Sequence, residues 1–262
     1  MSKRYYPNSP WPAAADIADA VKGDRAFLVL YKLLYFRHLL SKGAAGGDRA
    51  TLLRHHVAAW AAYVDFFELV LDGARVAELE LPASWVFETL GQDLLYYFQQ
   101  FHELRAAPDG AAPAHLRADG EDEAGADDED RLAAQARFGA PAGAAGGASG
   151  APAPDDATLA SVWTLRAVLT FLHRIADAGG AAAGADAPPA SAGGTRALAA
   201  YFARLALARL YVKLGDYATA LACARPLGVP AGDGAYARLA KAHVSLAYYA
   251  GFAQLMSRRC GL

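Results

Sequence analysis

Few residues of this chain have the type and spacing that chemistry requires. A loop that cradles phosphates needs a Gly-Lys pair ahead of Ser or Thr, and no lysine here follows a glycine. Gly143, Gly146 and Gly150 imitate a dinucleotide loop, but no strand pattern precedes them and their surroundings are Ala/Gly/Pro-rich. All-α magnesium enzymes carry aspartates a turn apart along a helix wall. Asp127, Asp128 and Asp130 instead crowd into one run, Asp127-Asp128-Glu129-Asp130, which reads as a solvated charge run. His55 and His56 are adjacent, so on a helix they diverge by about 100° and do not face one metal. His38, His102, His173 and His243 are each alone on helical segments. Cys223 and Cys260 have no acid–base set nearby and form neither a disulfide framework nor a metal cage, which fits a reducing compartment. The sequence therefore predicts no catalytic residue, cofactor site or metal site. Tyr5-Tyr6, Tyr96-Tyr97 and Tyr248-Tyr249 could stack on bases in principle, but the last two pairs lie on amphipathic helical segments without interleaved basic residues, where core packing is the stronger expectation.

The elements that would position any site read as helices. The chain has 262 residues, a formal net charge of -2 and a hydrophobic fraction of 55%. Much of that fraction is alanine, which buries little area per residue, so Leu, Phe, Tyr, Trp and Val are expected to supply the core. The charge balance gives no general pull toward nucleic acid or acidic lipid. No run of about 18 apolar residues suggests a membrane span and no signal peptide opens the chain, so a cytoplasmic setting is expected.

Asp24 is placed to cap a helix running to about Lys42, with Phe27, Leu30, Tyr31, Leu34, Tyr35 and His38 on its core face and Gly43 at its C-terminal cap. Asp48 can cap a second, with Leu52, His56, Trp60, Tyr63, Phe67 and Val70 inward until Asp72-Gly73. A third is expected from about Ser84 to Arg105, and a fourth from Asp155 or Asp156 through Leu159, Val162, Trp163, Leu169, Leu172 and Ile175. Leu207 to Leu214 reads as a helix that Gly215 ends in a left-handed conformation, with Asp216 capping the next. Ala208 and Ala220 lie where those two helices would cross, Pro226 cuts the second short, and a long helix follows from about Ala235 to Met256. The hairpin has the pattern of a tetratricopeptide-type repeat.

The predicted fold is thus all-α: a helical-repeat, tetratricopeptide-like solenoid of antiparallel helices with two disordered Ala/Gly/Pro-rich linkers. The expected organisation is an N-terminal helical region at 1–105, an acidic and Ala/Gly/Pro-rich linker at 106–154, and a C-terminal helical-repeat region at 155–262 interrupted by a flexible loop at 178–194. A short helix is expected inside the linker from Arg131 to Phe138.

Several blocks, in order, resemble the family of the L subunit of eukaryotic translation initiation factor 3. They are Ser9-Pro10-Trp11-Pro12, the run from Phe27 to His38, Leu79-Glu80-Leu81-Pro82 with Trp85, and Tyr97-Phe98-Gln99-Gln100-Phe101. Val162-Trp163, Leu214-Gly215-Asp216-Tyr217, Tyr248-Tyr249 with Gly251-Phe252, Leu255-Met256 and Arg258-Arg259 follow. The resemblance implies a non-catalytic scaffold subunit that supports recruitment of mRNA and initiator tRNA to the small ribosomal subunit. Its implied partners are other subunits of initiation factor 3 and, indirectly, the small ribosomal subunit, with no membrane and no direct RNA contact. The same kind of scaffold serves the proteasome lid and the COP9 signalosome, and an all-α enzyme is the remote alternative. Family members have a longer N-terminal region, and after the position of Leu262 they continue into a further helix and an assembly module. The last helix is accordingly expected to leave some of Tyr248, Tyr249, Phe252, Leu255 and Met256 uncovered, as an apolar, partner-contacting patch.

Overall fold

A computed structural model describes residues 11–43, 49–76, 78–107, 154–180, 194–227 and 239–258. Helix is the regular secondary structure of the described residues, with no strand among them. Residues 108–153, holding most of the expected first linker and the short helix at Arg131–Phe138, lie outside the described residues. So do residues 181–193, most of the expected second loop, whose first residues instead continue a helix to Gly180. The chain forms two compact units, residues 1–59 with 100–159 and residues 60–99 with 160–262.

The first unit contains α1 (Ala14–Ile17), α2 (Arg25–Gly43), the first part of α3 (Arg49–Leu71), the end of α6 (Leu94–Ala106) and the start of α7 (Asp156–Ser161). Asp24 caps α2 as expected, its Oδ1 accepting from the backbone N–H groups of Ala26 and Phe27. The expected core face of α2 is corrected. Val29, Leu33 and Leu40 are buried, while Phe27 and Leu34 are exposed. Apolar residues surround this helix, so periodicity alone does not select a face. The Tyr31 and His38 side instead receives Trp11, whose ring stacks 6.0 Å from Tyr31 and 4.9 Å from His38. The Tyr31 hydroxyl donates to the Pro12 carbonyl at 2.7 Å. Asp48 lies outside the described residues. Arg49 beside it donates to the carbonyls of Leu104 and Arg105, which α6 leaves without partners at its C-terminus.

Along α3, Leu52, His56, Trp60, Tyr63, Phe67 and Val70 are all buried, as the spacing predicts. The second unit is organised by α9 (Thr195–Leu214), which packs against α8 (Leu165–Gly180), α10 (Tyr217–Ala224), α11 (Ala240–Met256) and the segment from α4 (Gly73–Val76) and α5 (Ala83–Val86) onward. This helix begins at Thr195, not Leu207. Ala197, Ala199, Ala200, Ala203, Ala206 and Ala208 are buried together with Tyr201, Phe202, Leu205 and Leu210. Alanine is thus core material here, because small side chains let neighbouring helices approach. A Cβ added to Gly179 of α8 would collide with the Cβ of Ala200. The Thr195 hydroxyl donates to the Leu79 carbonyl and accepts from the Leu81 N–H at 3.1 Å, tying the Leu-Glu-Leu-Pro block to the start of α9.

One further expectation holds with a local change, and another is corrected. The helix expected from Ser84 contains a π-helical stretch at Phe87–Asp93 between α5 and α6. The helix expected from Asp156 onward breaks after Ser161 and restarts at Leu165. At the break Trp163 has φ 51° and is fully buried. Its indole lies 5.0 Å from Trp60 and 5.5 Å from Tyr63 between ring centroids, and Trp60 and Phe67 continue this aromatic group to Phe171. The Thr164 hydroxyl accepts from the Ala167 N–H and so caps the restarted helix. Burial of one large indole among aromatic rings outweighs the cost of about 1–2 kcal/mol for a left-handed non-glycine residue. Trp163→Ala is expected to destabilise the fold by about 3–5 kcal/mol in chemical denaturation, through the lost burial and the cavity left behind.

Candidate partner-binding surface

The C-terminal surface is built from a turn whose chemistry is local. Gly215 has φ 79°, and its N–H is donated back to the Val212 carbonyl as α9 ends. Asp216 follows, and its Oδ1 accepts from the Thr219 N–H at 3.1 Å. Hydrogen bonds from Thr219, side chain first and then backbone, hold the Asp216 carboxyl below the usual carboxylate range. Ala208 and Ala220 are buried where the hairpin closes, and Pro226 ends it in a 3-10 turn at Arg225–Leu227.

Val212, Ala220 and Ala253 form a buried cluster, with Tyr211, Tyr217, Leu221, Tyr249 and Phe252 packed around it. This cluster fixes α11 on α9 and α10. The Phe252 ring lies 6.1 Å from Tyr217 and 6.3 Å from Tyr248, and Tyr249 lies under the guanidinium of Arg209 at 5.3 Å. Burial pushes the Tyr211 phenol up, and the Tyr211 hydroxyl is 2.9 Å from Nε2 of His173. Burial also pushes up the Cys223 thiol, away from the thiolate form that a nucleophile needs.

Some of the five residues Tyr248, Tyr249, Phe252, Leu255 and Met256 were expected to be uncovered, and three are. Tyr248 is 62% exposed, Leu255 63% and Met256 48%. Tyr249 and Phe252 are half-buried and serve instead as anchors of the helix. Val244, on the same helix, is 68% exposed. Val244, Tyr248, Gly251 and Leu255 recur with intervals of four, three and four, so they lie along one side of α11. A Cβ added to Gly251 would meet nothing. Sequence reasoning missed Val244 because α11 is apolar on most sides; its carboxylate-free sequence, AKAHVSLAYYAGFAQLM, does not mark an outer face.

Elsewhere the chemistry-bearing residues are in the packing. His56 is fully buried, with its ring 6.0 Å from Phe101. Tyr97 is buried and Tyr96 exposed. Among the described residues no three metal-ligating side chains converge, and no helix is long and apolar enough to cross a membrane. An open depression of about 570 Å³ runs along α8 past Leu165, Leu169, His173 and Asp177, and its described lining belongs to that one helix.

The sequence profile of the family described as RNA polymerase I-associated factor PAF67 matches residues 55–260, most of the chain. The chain belongs to this family. It is similar to eukaryotic translation initiation factor 3 subunit L of Mycosarcoma maydis, 29% identical over 99% of this chain and 34% of the relative's length. The subunit L proteins of Mus musculus and Homo sapiens are 28% and 27% identical, again over 99% of this chain and over 40% of their own lengths. The chain thus spans about a third to two fifths of these relatives. The resemblance read from the ordered blocks is the one these relatives carry.

Gly215→Ala is expected to cost about 1–2 kcal/mol, since alanine must be held left-handed there. A carboxyl whose folded pKa is lowered contributes stability above its unfolded pKa and loses it as pH falls through the folded value. The hairpin should therefore weaken below the ordinary aspartate pKa of about 3.9. In thermal scans across this range, Asp216→Asn should keep the cap and flatten that acid dependence, and Asp216→Ala should lower the midpoint at neutral pH.

Proposed function

We propose that this chain acts as a non-catalytic, partner-binding part of translation initiation factor 3. In this reading it supports recruitment of mRNA and initiator tRNA to the small ribosomal subunit through protein–protein contacts, in the cytoplasm. Its C-terminal helices act as a tetratricopeptide-like stack, and the outer side of α11 is the contact surface. Tyr248, Leu255 and Met256 touch the partner directly, while Tyr249 and Phe252 hold them in place. The observation that carries this reading is similarity along 99% of the chain to proteins named as subunit L of that factor. The exposed apolar side of α11 adds a physical means, because large uncovered apolar residues in a row mark interaction surfaces. Burial of His56 and the raised Cys223 thiol fit a binding role better than the remote enzymatic one.

The test is affinity purification of the tagged chain from a eukaryotic extract, with mass spectrometry of co-purifying proteins. Other initiation factor 3 subunits should be recovered. The double substitution Tyr248→Ser with Leu255→Glu should reduce that recovery at least about tenfold, as expected for loss of central apolar contacts. Both positions are solvent-facing, so stability should change by no more than about 0.5 kcal/mol per substitution. Recovery of no such subunit would oppose the functional reading, and full recovery by the double variant would remove the contact from α11. Enrichment of RNA polymerase I subunits instead would favour the partner in the family description.

A further inference from the structure

The π-helical stretch at Phe87–Asp93 is an irregular element of the second unit, and one side chain ties it to α11. Gly91 is buried in that stretch, and a Cβ there would come within 3.0 Å of the Phe87 ring. Arg209 of α9 donates to the Gly91 carbonyl from Nη1. The same guanidinium lies over the Tyr249 ring, its Cζ 5.3 Å from the centroid. Arg209 is half-buried and is not in an ion pair with a carboxylate among the described residues. Its Nε is buried without an acceptor among them. A cation held this way depends on the carbonyl and the ring, because withdrawing it from water is otherwise uncompensated.

We infer that Arg209 is the positioning residue of α11: it registers the helix against the π-helical stretch and so sets the angle at which Tyr248 and Leu255 are presented. Tyr249 and Tyr248 are neighbours on α11, with rings 5.1 Å apart and nearly perpendicular. Fixing Tyr249 inward on Arg209 therefore directs Tyr248 outward. A guanidinium can donate in its plane and stack through its face at once, whereas an ammonium on a flexible stem must divide itself between the two. The inference goes beyond the proposed partner, and its test does not depend on that proposal.

The experiment is hydrogen exchange with mass spectrometry on the full chain, comparing peptides from 240–256 with peptides from 165–180. Arg209→Met keeps the stem and removes both the charge and the donor. It should speed exchange in 240–256 by about tenfold, the range of a partly desolvated cation–π contact, and leave 165–180 at parental rates. Tyr249→Leu should match it, and Tyr249→Phe, which keeps the ring, should remain parental. Arg209→Lys should restore part of the protection. Combining Arg209→Met with Tyr249→Leu should add little to either, because both remove one interaction. Parental exchange in Arg209→Met, equal acceleration by Tyr249→Phe and Tyr249→Leu, or simple additivity of the pair would each overturn the inference. If Arg209→Met does not fold, the comparison of Tyr249→Phe with Tyr249→Leu still decides it.

Discussion

A helix enclosed by other helices must fill the spaces between them without holding them apart. In α9 this constraint is met by alternating small and large residues. Ala199, Ala200, Ala203, Ala206 and Ala208 let neighbours approach, and Tyr201, Phe202, Leu205 and Leu210 fill the gaps that remain. Alanine gives up no side-chain rotamer freedom on burial, so an enclosed alanine-rich helix is favourable to order. The consequences spread outward through the second unit. Gly179 and Ala200 allow α8 to lie close, Phe202 meets Phe87 of the π-helical stretch at 5.3 Å, and the end of α9 carries the hairpin on which α11 rests.

Features written in local chemistry were legible in the sequence. Asp24, Gly215 and Asp216 act through backbone groups within a few residues, so their roles follow from residue type and position. The apolar stripe of α3 was legible because its polar residues leave the buried face distinct. The core face of α2 and the exposure of Val244 were not, since both helices are apolar on nearly every side and only their neighbours decide what is covered. The first half of α9 was hidden for a related reason. A helix buried all round has no periodic stripe, and Ala-rich sequence beside low-complexity sequence does not announce a core. The break at Trp163 carries no glycine or proline signal; it is set by where the indole must go. Such tertiary demands override local preference.

The candidate surface shows the same division. Its five expected residues lie on one helix, but packing separates them into anchors and exposed groups. Tyr249 and Phe252 spend their rings on Arg209, Tyr217 and the cluster around Ala253, while Tyr248, Leu255 and Met256 remain outward with Val244. A contact surface needs both kinds: side chains held inside define the pose of those outside. This arrangement makes a binding role physically specific, because it names a helix side and the interactions that orient it.

In the proposed function, the outer side of α11 meets subunits of initiation factor 3. Site-specific photo-crosslinking tests it most directly, with a photoreactive phenylalanine analogue placed at Tyr248 in one sample and at Arg166, on the exposed side of α8, in another. In a eukaryotic extract, the account predicts crosslinks from position 248 to an initiation factor 3 subunit and none to that subunit from position 166. Crosslinking of position 248 to no subunit of the factor, or of both positions to the same subunit with equal yield, would contradict it.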